Sequence, residues 1–296
     1  MTAVTTSQKF IKRLAVIGVG LIGGSIALRL KEANCVETVV GVGRSADNLR
    51  AAIENGVIDE VSRDIKSGVR DADLIIISVP VRQLSAILPE IDKYAPRDAV
   101  ITDVGSTKSD FAELALTRLP DRLSCVVPAH PIAGSEKTGA LSARVDLFKG
   151  RNVVLCPLKE TLPSNVGRIR EMWKACDANV LIMSTKRHDH IFSIVSHLPH
   201  VVSYALVDMI IEREDADELL NYAAGGFRDF TRIAGSSAEM WADICEANQS
   251  EILVSLSEFM AKLECMRELI EEQRYTELKA IFSAASSARV AWNTKK

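Results

Sequence analysis

His130 stands in Pro128-Ala-His-Pro-Ile-Ala-Gly-Ser-Glu-Lys-Thr-Gly139, between two prolines that stiffen the backbone on either side of its imidazole. A ring held in this way can be aimed. Its unperturbed pKa lies near neutrality, so it can take a proton from a substrate without extreme tuning. A second stretch with chemical capacity is Gly18-Val-Gly20-Leu21-Ile22-Gly23, which follows the apolar run Leu14-Ala-Val-Ile17 and opens a helical pattern through Leu30. In a strand, turn and helix context the first glycine permits the tight turn and the second lets the backbone approach a pyrophosphate. The third allows close helix–strand packing, and the helix N-terminus faces the phosphates. Gly18, Gly20, Leu21, Ile22 and Gly23 are therefore expected to hold a dinucleotide.

Other residues gain meaning from their place relative to these two. The strand-like run Thr38–Val42 ends in Gly43-Arg44-Ser45, where an NAD site would carry an acid against the ribose 2′-hydroxyl. Arg44 and Ser45 suit a 2′-phosphate instead, because guanidinium forms paired charge-assisted hydrogen bonds with phosphate, so NADP is expected ahead of NAD. Ser106, in Asp103-Val-Gly-Ser-Thr107, follows another strand-like run; its hydroxyl is expected to bond both His130 and a substrate hydroxyl, or to cap the helix that follows. His197 and His200 lie three apart around Pro199, which should kink their helix. In Gly225-Gly-Phe-Arg-Asp-Phe-Thr-Arg232, Arg228 and Arg232 should share a helix face as a fork for a carboxylate, with Asp229 pairing to Arg232.

The elements that must position these groups follow an alternating pattern. Strand-like runs at Leu74–Val79, Ala99–Thr102 and Leu123–Val127 are separated by helical stretches near 45–55, 82–94 and 107–119. This alternation predicts an α/β Rossmann-type doubly wound parallel sheet, whose ligand lies beyond the carboxyl ends of its strands. Val79 and Pro80, just past one such end, join the expected cofactor contacts. Asn152–Cys156 and Ala178–Met183 read as further strands. Beyond about residue 180 the chain becomes long apolar helices, which divides it into a dinucleotide-binding domain, 1–180, and a helical dimerisation and substrate domain, 181–296.

Asp189–Ile211 is apolar on most of its circumference and should be buried on nearly all sides. Ile252, Leu256, Phe259, Leu263, Met266 and Ile270 alternate spacings of four and three, a heptad-like seam. A second copy of the chain is the simplest cover for so much apolar helix, so a homodimer is expected.

Composition narrows the partners. Thirty-six basic and 39 acidic residues give a net charge of −3, with no block of like charge to attract nucleic acid or an acidic membrane. The expected partner is a small molecule. Six cysteines without CxxC spacing point to reduced core thiols, with neither disulfide nor metal. No uninterrupted run of about 18 apolar residues stands out, so a cytoplasmic protein without a signal peptide or membrane span is expected.

Gly-Val-Gly-Leu-Ile-Gly-Gly-Ser (18–25), Asp-Val-Gly-Ser-Thr-Lys (103–108), His-Pro-Ile-Ala-Gly-Ser-Glu (130–136), Ser-His-Leu-Pro-His (196–200) and Gly-Gly-Phe-Arg-Asp-Phe-Thr-Arg-Ile-Ala (225–234), with Met240-Trp241 beyond, resemble in this order the prephenate/arogenate (cyclohexadienyl) dehydrogenase family of tyrosine biosynthesis. The first motif is common to dinucleotide enzymes, and the later four are specific.

The resemblance implies a Rossmann domain followed by a helical dimerisation domain, and oxidative decarboxylation of prephenate or arogenate with hydride transfer to NAD(P). It implies His130 as the base, Ser106 as its hydrogen-bonding partner, and His200 and Arg232 as substrate-binding groups. Glu136, His197, Arg228, Asp229 and Trp241 would support them, Trp241 reaching across the dimer. Many members carry an acid where this chain has Gly43-Arg44. Two alternatives stay open: a β-hydroxyacid dehydrogenase of similar build, which would use a lysine, and a dinucleotide-sensing dimer without turnover.

Overall fold

Leu74-Ile-Ile-Ile77 is buried along its whole length, the pattern of a strand in a parallel sheet with helices on both faces. The computed structural model describes residues 9–134 and 138–293, and in it this run is one of five parallel strands. They are β1 Ile11–Ile17, β2 Val36–Val42, β3 Glu60–Ser62, β4 Leu74–Ile77 and β5 Val100–Asp103, standing in the order β3-β2-β1-β4-β5. The interleaved helices are α1 Leu21–Glu32, α2 Ala46–Glu54, α3 Ile65–Val69, α4 Leu84–Tyr94 and α5 Ser109–Arg118. Strand order reverses at β1, so the carboxyl ends of β1 and β4 frame the crevice where sheets of this kind take ligands. The Rossmann-type architecture expected from the alternation is present.

A smaller sheet follows, made of β6 Ala129–Pro131, β7 Asn152–Leu155 and β8 Asn179–Ile182, with α6 Pro163–Ala175 before β8. β6 pairs antiparallel with β7, which sets His130 opposite Val154. The expected strand at Leu123–Val127 is corrected here. Pro120–Cys125 winds as a 3₁₀ turn, because Pro120 pre-sets a turn conformation and Arg122, fully buried, donates to the carbonyls of Asp92, Ala95 and Pro96. Only a single bridge, Val126 beside Ile101, remains of strand pairing there. His130 consequently sits on a strand rather than in a loop after one.

After Ile182 every described element is helical: α7 Thr185–Phe192, α8 Leu198–Ile211, α9 Ala216–Asn221, α10 Gly225–Thr231, α11 Ala238–Ala247, α12 Gln249–Glu271 and α13 Tyr275–Asn293. A π turn, Ser193–His197, joins α7 to α8, and Pro199 occupies the first turn of α8. The π turn supplies the register change that Pro199 demands, since proline cannot donate to the preceding turn and crowds it.

The expected burial of Asp189–Ile211 on nearly all sides fails on this stretch. Thr185–Ile211 is the one helical segment among the described residues long and apolar enough to cross a membrane, although charged and polar residues interrupt its apolar run. It is also not a core helix: 11% of its apolar window is buried, and of α8 only Ser203 is fully so. Residues up to Gln249 form one compact unit and those from Ser250 on a second. In the second, Leu263 and Ile270 of the expected seam are about half exposed.

Candidate active site

The glycine turn is built as its spacing requires. Gly18 adopts φ +94°, and a Cβ there would lie 2.1 Å from the Ser78 carbonyl oxygen; a Cβ on Gly23 would lie 2.5 Å from that of Gly18. Gly20 meets nothing within 4 Å, which leaves a backbone cradle open to an incoming group. Gly20 also caps α1 without a side-chain bond. The N–H groups of Leu21, Ile22 and Gly23 therefore have no intrahelical acceptor and suit a phosphate. Val79 packs against this turn, with Pro80 exposed beyond it.

At the end of β2, Ser45 spends its hydroxyl on capping α2, accepting from Asn48 N at 3.2 Å. Arg44 is exposed and its carbonyl accepts from Arg63 Nη2 at 3.3 Å, so a second arginine that the sequence reading passed over stands beside it. Neither side chain has an ion-pair partner among the described residues.

The β5–α5 turn and β6 are tied by one carboxylate. Asp103 accepts from Ala129 N at 3.1 Å and Gly105 N at 2.8 Å, and pairs with the Lys108 ammonium, itself fully buried. This holds the backbone immediately before His130 against the carboxyl end of β5.

His130 Nδ1 lies 2.8 Å from His188 Nε2, and His188 Nδ1 lies 2.8 Å from Asp189 Oδ1. Asp189 also accepts from Lys108 N at 2.9 Å and Ser109 N at 2.7 Å. Burial pushes its pKa up, but the bonds from His188, Ser109 and Lys108 outweigh that and leave it below the usual carboxylate value. The hydrogen-bond network then assigns the protons. An ionised Asp189 accepts from His188 Nδ1–H, His188 Nε2 becomes an acceptor, and His130 must donate from Nδ1, leaving the lone pair of Nε2 free to receive a proton. Burial, and after it the charges at His188, Lys108 and His197, push the His130 pKa well below its ordinary value, so the ring is neutral at pH 7.

Ser106 is half-buried in the same turn, and no hydrogen bond joins it to His130. The partner expected of Ser106 on the imidazole is His188, which the sequence reading missed.

A second cluster gathers around Trp241. His200 stacks on its ring at 3.6 Å and 20°, and His197 meets it edge-on at 6.1 Å. Both histidines meet Trp241 within one chain. His200 Nδ1 donates to Ser196 O at 2.9 Å, and burial lowers its pKa, with the Arg232 charge adding to the shift. His197 is pushed down to about 4, chiefly by burial, and accepts from Asn248 Nδ2 at 3.1 Å; the same amide donates to Asp189 O at 3.0 Å. Trp241 Nε1 is buried without a hydrogen-bond partner, a donor left over for a ligand.

Ser203 and Tyr204 of α8 donate to the Phe230 and Ser236 carbonyls, which moors the arginine segment. Arg228 and Arg232 line one cavity of about 320 Å³ with Leu220, Ala223, Phe227 and Thr231. The expected Asp229–Arg232 ion pair does not form, because Arg232 lies past α10 in a 3₁₀ turn that breaks the helical spacing. Another cavity, of about 470 Å³, opens beside β6 among Ile132, Ala133, Gly134, Arg144, Lys149 and Arg151. Glu136 lies outside the described residues.

A parallel sheet with an open glycine turn at a helix N-terminus, joined at its mouth by a neutral histidine, is the architecture of a nicotinamide dinucleotide-dependent oxidoreductase. Residues 26–182 match the family model for the prephenate dehydrogenase nucleotide-binding domain, and residues 184–284 that for its dimerization domain. The chain belongs to the prephenate dehydrogenase family. It is 34% identical to the cyclohexadienyl dehydrogenase of Zymomonas mobilis over 96% of this chain and 97% of that one. It is 36% identical to the prephenate dehydrogenase of Bacillus subtilis, over 92% and 74%. Among solved structures, A. aeolicus prephenate dehydrogenase in complex with hydroxyphenyl propionate and NAD+ superposes with TM-score 0.89 at 32% identity, covering 96% of this chain and 99% of that one. Synechocystis arogenate dehydrogenase superposes with TM-score 0.80 at 28% identity, over 95% and 99%.

Proposed function

We propose that the chain catalyses the oxidative decarboxylation of prephenate or arogenate, giving 4-hydroxyphenylpyruvate or tyrosine, and that His130 is its base. The observation that carries this reading is the Asp189–His188–His130 relay, which leaves a proton-accepting Nε2 at the mouth of a dinucleotide-type sheet. A bound nicotinamide supplies the hydride acceptor. His130 Nε2 takes the proton of the ring 4-hydroxyl as hydride leaves that carbon, and loss of the ring carboxylate restores aromaticity. Ser106 is left free to bond the same hydroxyl. Trp241 and His200 form a flat apolar wall with donors at its edge, suited to a cyclohexadienyl ring, and Arg232 and Arg228 are cations for its carboxylates. His197, held by Asn248, backs that wall.

Lys108 lies close enough to His130 to influence its charge, but it is fully buried against Asp103, which argues against the lysine-dependent alternative. We assign NADP as the preferred dinucleotide on Arg44 and Arg63, two cations without an ion-pair partner among the described residues, beside the end of the second strand. The exposed apolar length of Thr185–Ile211 is assigned to contact with a second copy of the chain.

A turnover assay crossing prephenate and arogenate with NAD and NADP tests the whole reading. The expected result is turnover with at least one cyclohexadienyl acid, faster with NADP; no turnover in any of the four combinations refutes it.

A further inference from the structure

Between the dinucleotide turn and the Trp241 cluster runs one part-buried ionic contact that the chemistry above does not use. Arg82, in the 3₁₀ turn Val81–Gln83 that follows β4, places Nε 2.9 Å from Asp243 Oδ1 and 3.1 Å from Oδ2, with Nη2 also on Oδ1. The Asp243 side chain is 4% exposed and Arg82 57%, so the carboxylate is the sequestered partner and the guanidinium its cover. Glu239 adds a looser contact to Arg82 at 3.7 Å. Upstream, Ser78 and Val79 press on Gly18 closely enough that any side chain there would collide with them. Downstream, Asp243 is two residues from Trp241 on α11.

Residues two apart on a helix point roughly 200° apart, so α11 is gripped from two sides, by Arg82 through Asp243 and by His200 through Trp241. A bidentate pair fixes the angle as well as the distance of the helix it holds. An unpaired carboxylate as buried as Asp243 would drive α11 outward towards water. Trp241 would move with it, leaving His200 and the unpartnered Nε1 out of place.

We propose that Arg82 and Asp243 are positioning residues of the substrate pocket: the segment leaving the dinucleotide-binding sheet sets the place of Trp241 through this pair. The inference rests on the assignment of Trp241 and His200 to the substrate pocket.

The test uses hydroxyphenyl propionate, the ligand named with the A. aeolicus relative, titrated calorimetrically into the full chain with saturating dinucleotide; dinucleotide affinity is measured separately. Arg82→Ala should weaken probe binding about tenfold and raise substrate KM in parallel, with dinucleotide Kd held within about twofold. Asp243→Asn should give the same loss, and the double variant no more than either alone, the signature of one shared contact. Arg82→Lys keeps a charge over Asp243 and loses the fork, so it stays folded even where the loss of charge in Arg82→Ala unfolds α11, and it should fall between parent and Arg82→Ala. Unchanged probe affinity in a folded Arg82→Lys or Asp243→Asn variant, or losses that add in the double variant, overturns the inference. A parent protein that binds dinucleotide but not the probe removes the pocket assignment itself, and the inference with it.

Discussion

His130 and His188 meet nitrogen to nitrogen at 2.8 Å, and among the described residues only His188 of the two also touches a carboxylate. That asymmetry gives the pair a direction. Asp189 holds a proton on the near side of His188, which makes His188 an acceptor towards His130 and turns the basic nitrogen of His130 outward. Asp189 also accepts from the N–H groups of Lys108 and Ser109, the residue before α5 and its first residue, so one side chain fixes both the relay and the turn carrying Ser106.

Removing the base and removing its partner should therefore differ in degree. His130→Ala is expected to lower turnover by roughly 10²–10⁴ while dinucleotide affinity stays near that of the parent. His188→Phe keeps an aromatic ring beside Phe192 but cannot accept from Nδ1, so it should give a smaller loss, about 10–100-fold, by freeing the wrong tautomer. Pre-steady-state hydride transfer, followed at 340 nm, separates the two; equal rates in parent and His188→Phe would remove the relay from catalysis.

The histidine cluster also predicts the acid behaviour of the protein. Folding depresses the pKa values of His130, His188 and His197, the last to about 4, with burial the leading cause in each. His130 accepts protons only when neutral, so the acid limb of kcat/KM should lie below the ordinary histidine value of about 6.5. Below that value the unfolded chain binds protons that the folded chain refuses. Stability should thus be constant above about pH 6.5 and fall from there towards pH 4. Urea melts across that range check the sign, and His197→Gln should flatten part of the slope. A stability that rose on acidification would contradict the buried neutral assignment.

The sequence showed these groups unequally, for physical reasons. Gly18, Gly20 and Gly23 were legible because a backbone requirement forces residue type at short spacing. His130 was legible because two prolines frame it. His188 and Asp189 were not: they stand in Thr-Lys-Arg-His-Asp-His, which reads as a polar helix start, and their meeting with a residue 58 positions away depends on how α7 packs against α5. Asn248 escaped for the same reason. β3, three residues long and exposed at Glu60 and Val61, carries too little pattern to be seen, and Arg63 was missed with it. Apolar content misled at Leu123–Val127 and in α8. It reports the wish to be covered, and in α8 it cannot say whether the cover comes from the same chain.

Arg232 offers a sharper test of the substrate side. It is exposed, lines the same cavity as Arg228, and lies near enough to His200 to bias its protonation. Arg232→Ala should raise substrate KM by the loss of one charge-assisted contact, about 1.5–3 kcal/mol, with kcat much less affected. An unchanged KM would move the carboxylate contact to Arg228, the other cation of that cavity.

The preference for NADP is the prediction most exposed to failure, because the A. aeolicus relative is named with NAD+. Its basis is local. Gly43 N donates to Ser62 O at 3.2 Å, so the chain leaves β2 and β3 side by side, and the residues next in line are Arg44 and Arg63. Both are exposed and have no ion-pair partner among the described residues, and a 2′-phosphate carrying roughly two negative charges would give them one. Ser45 accepts from Asn48 N at the α2 cap and keeps its O–H to donate to the same phosphate, so the charge selectivity falls to the arginines. Arg44→Ala and Arg63→Ala should each weaken 2′,5′-ADP binding by about 1–3 kcal/mol and leave 5′-AMP binding nearly unchanged. Both ligands must be compared at one ionic strength, since salt screens exposed contacts of this kind. Equal affinity of the parent for the two nucleotides, or a parallel loss of both in the variants, would reduce the pair to turn residues and return the site to NAD.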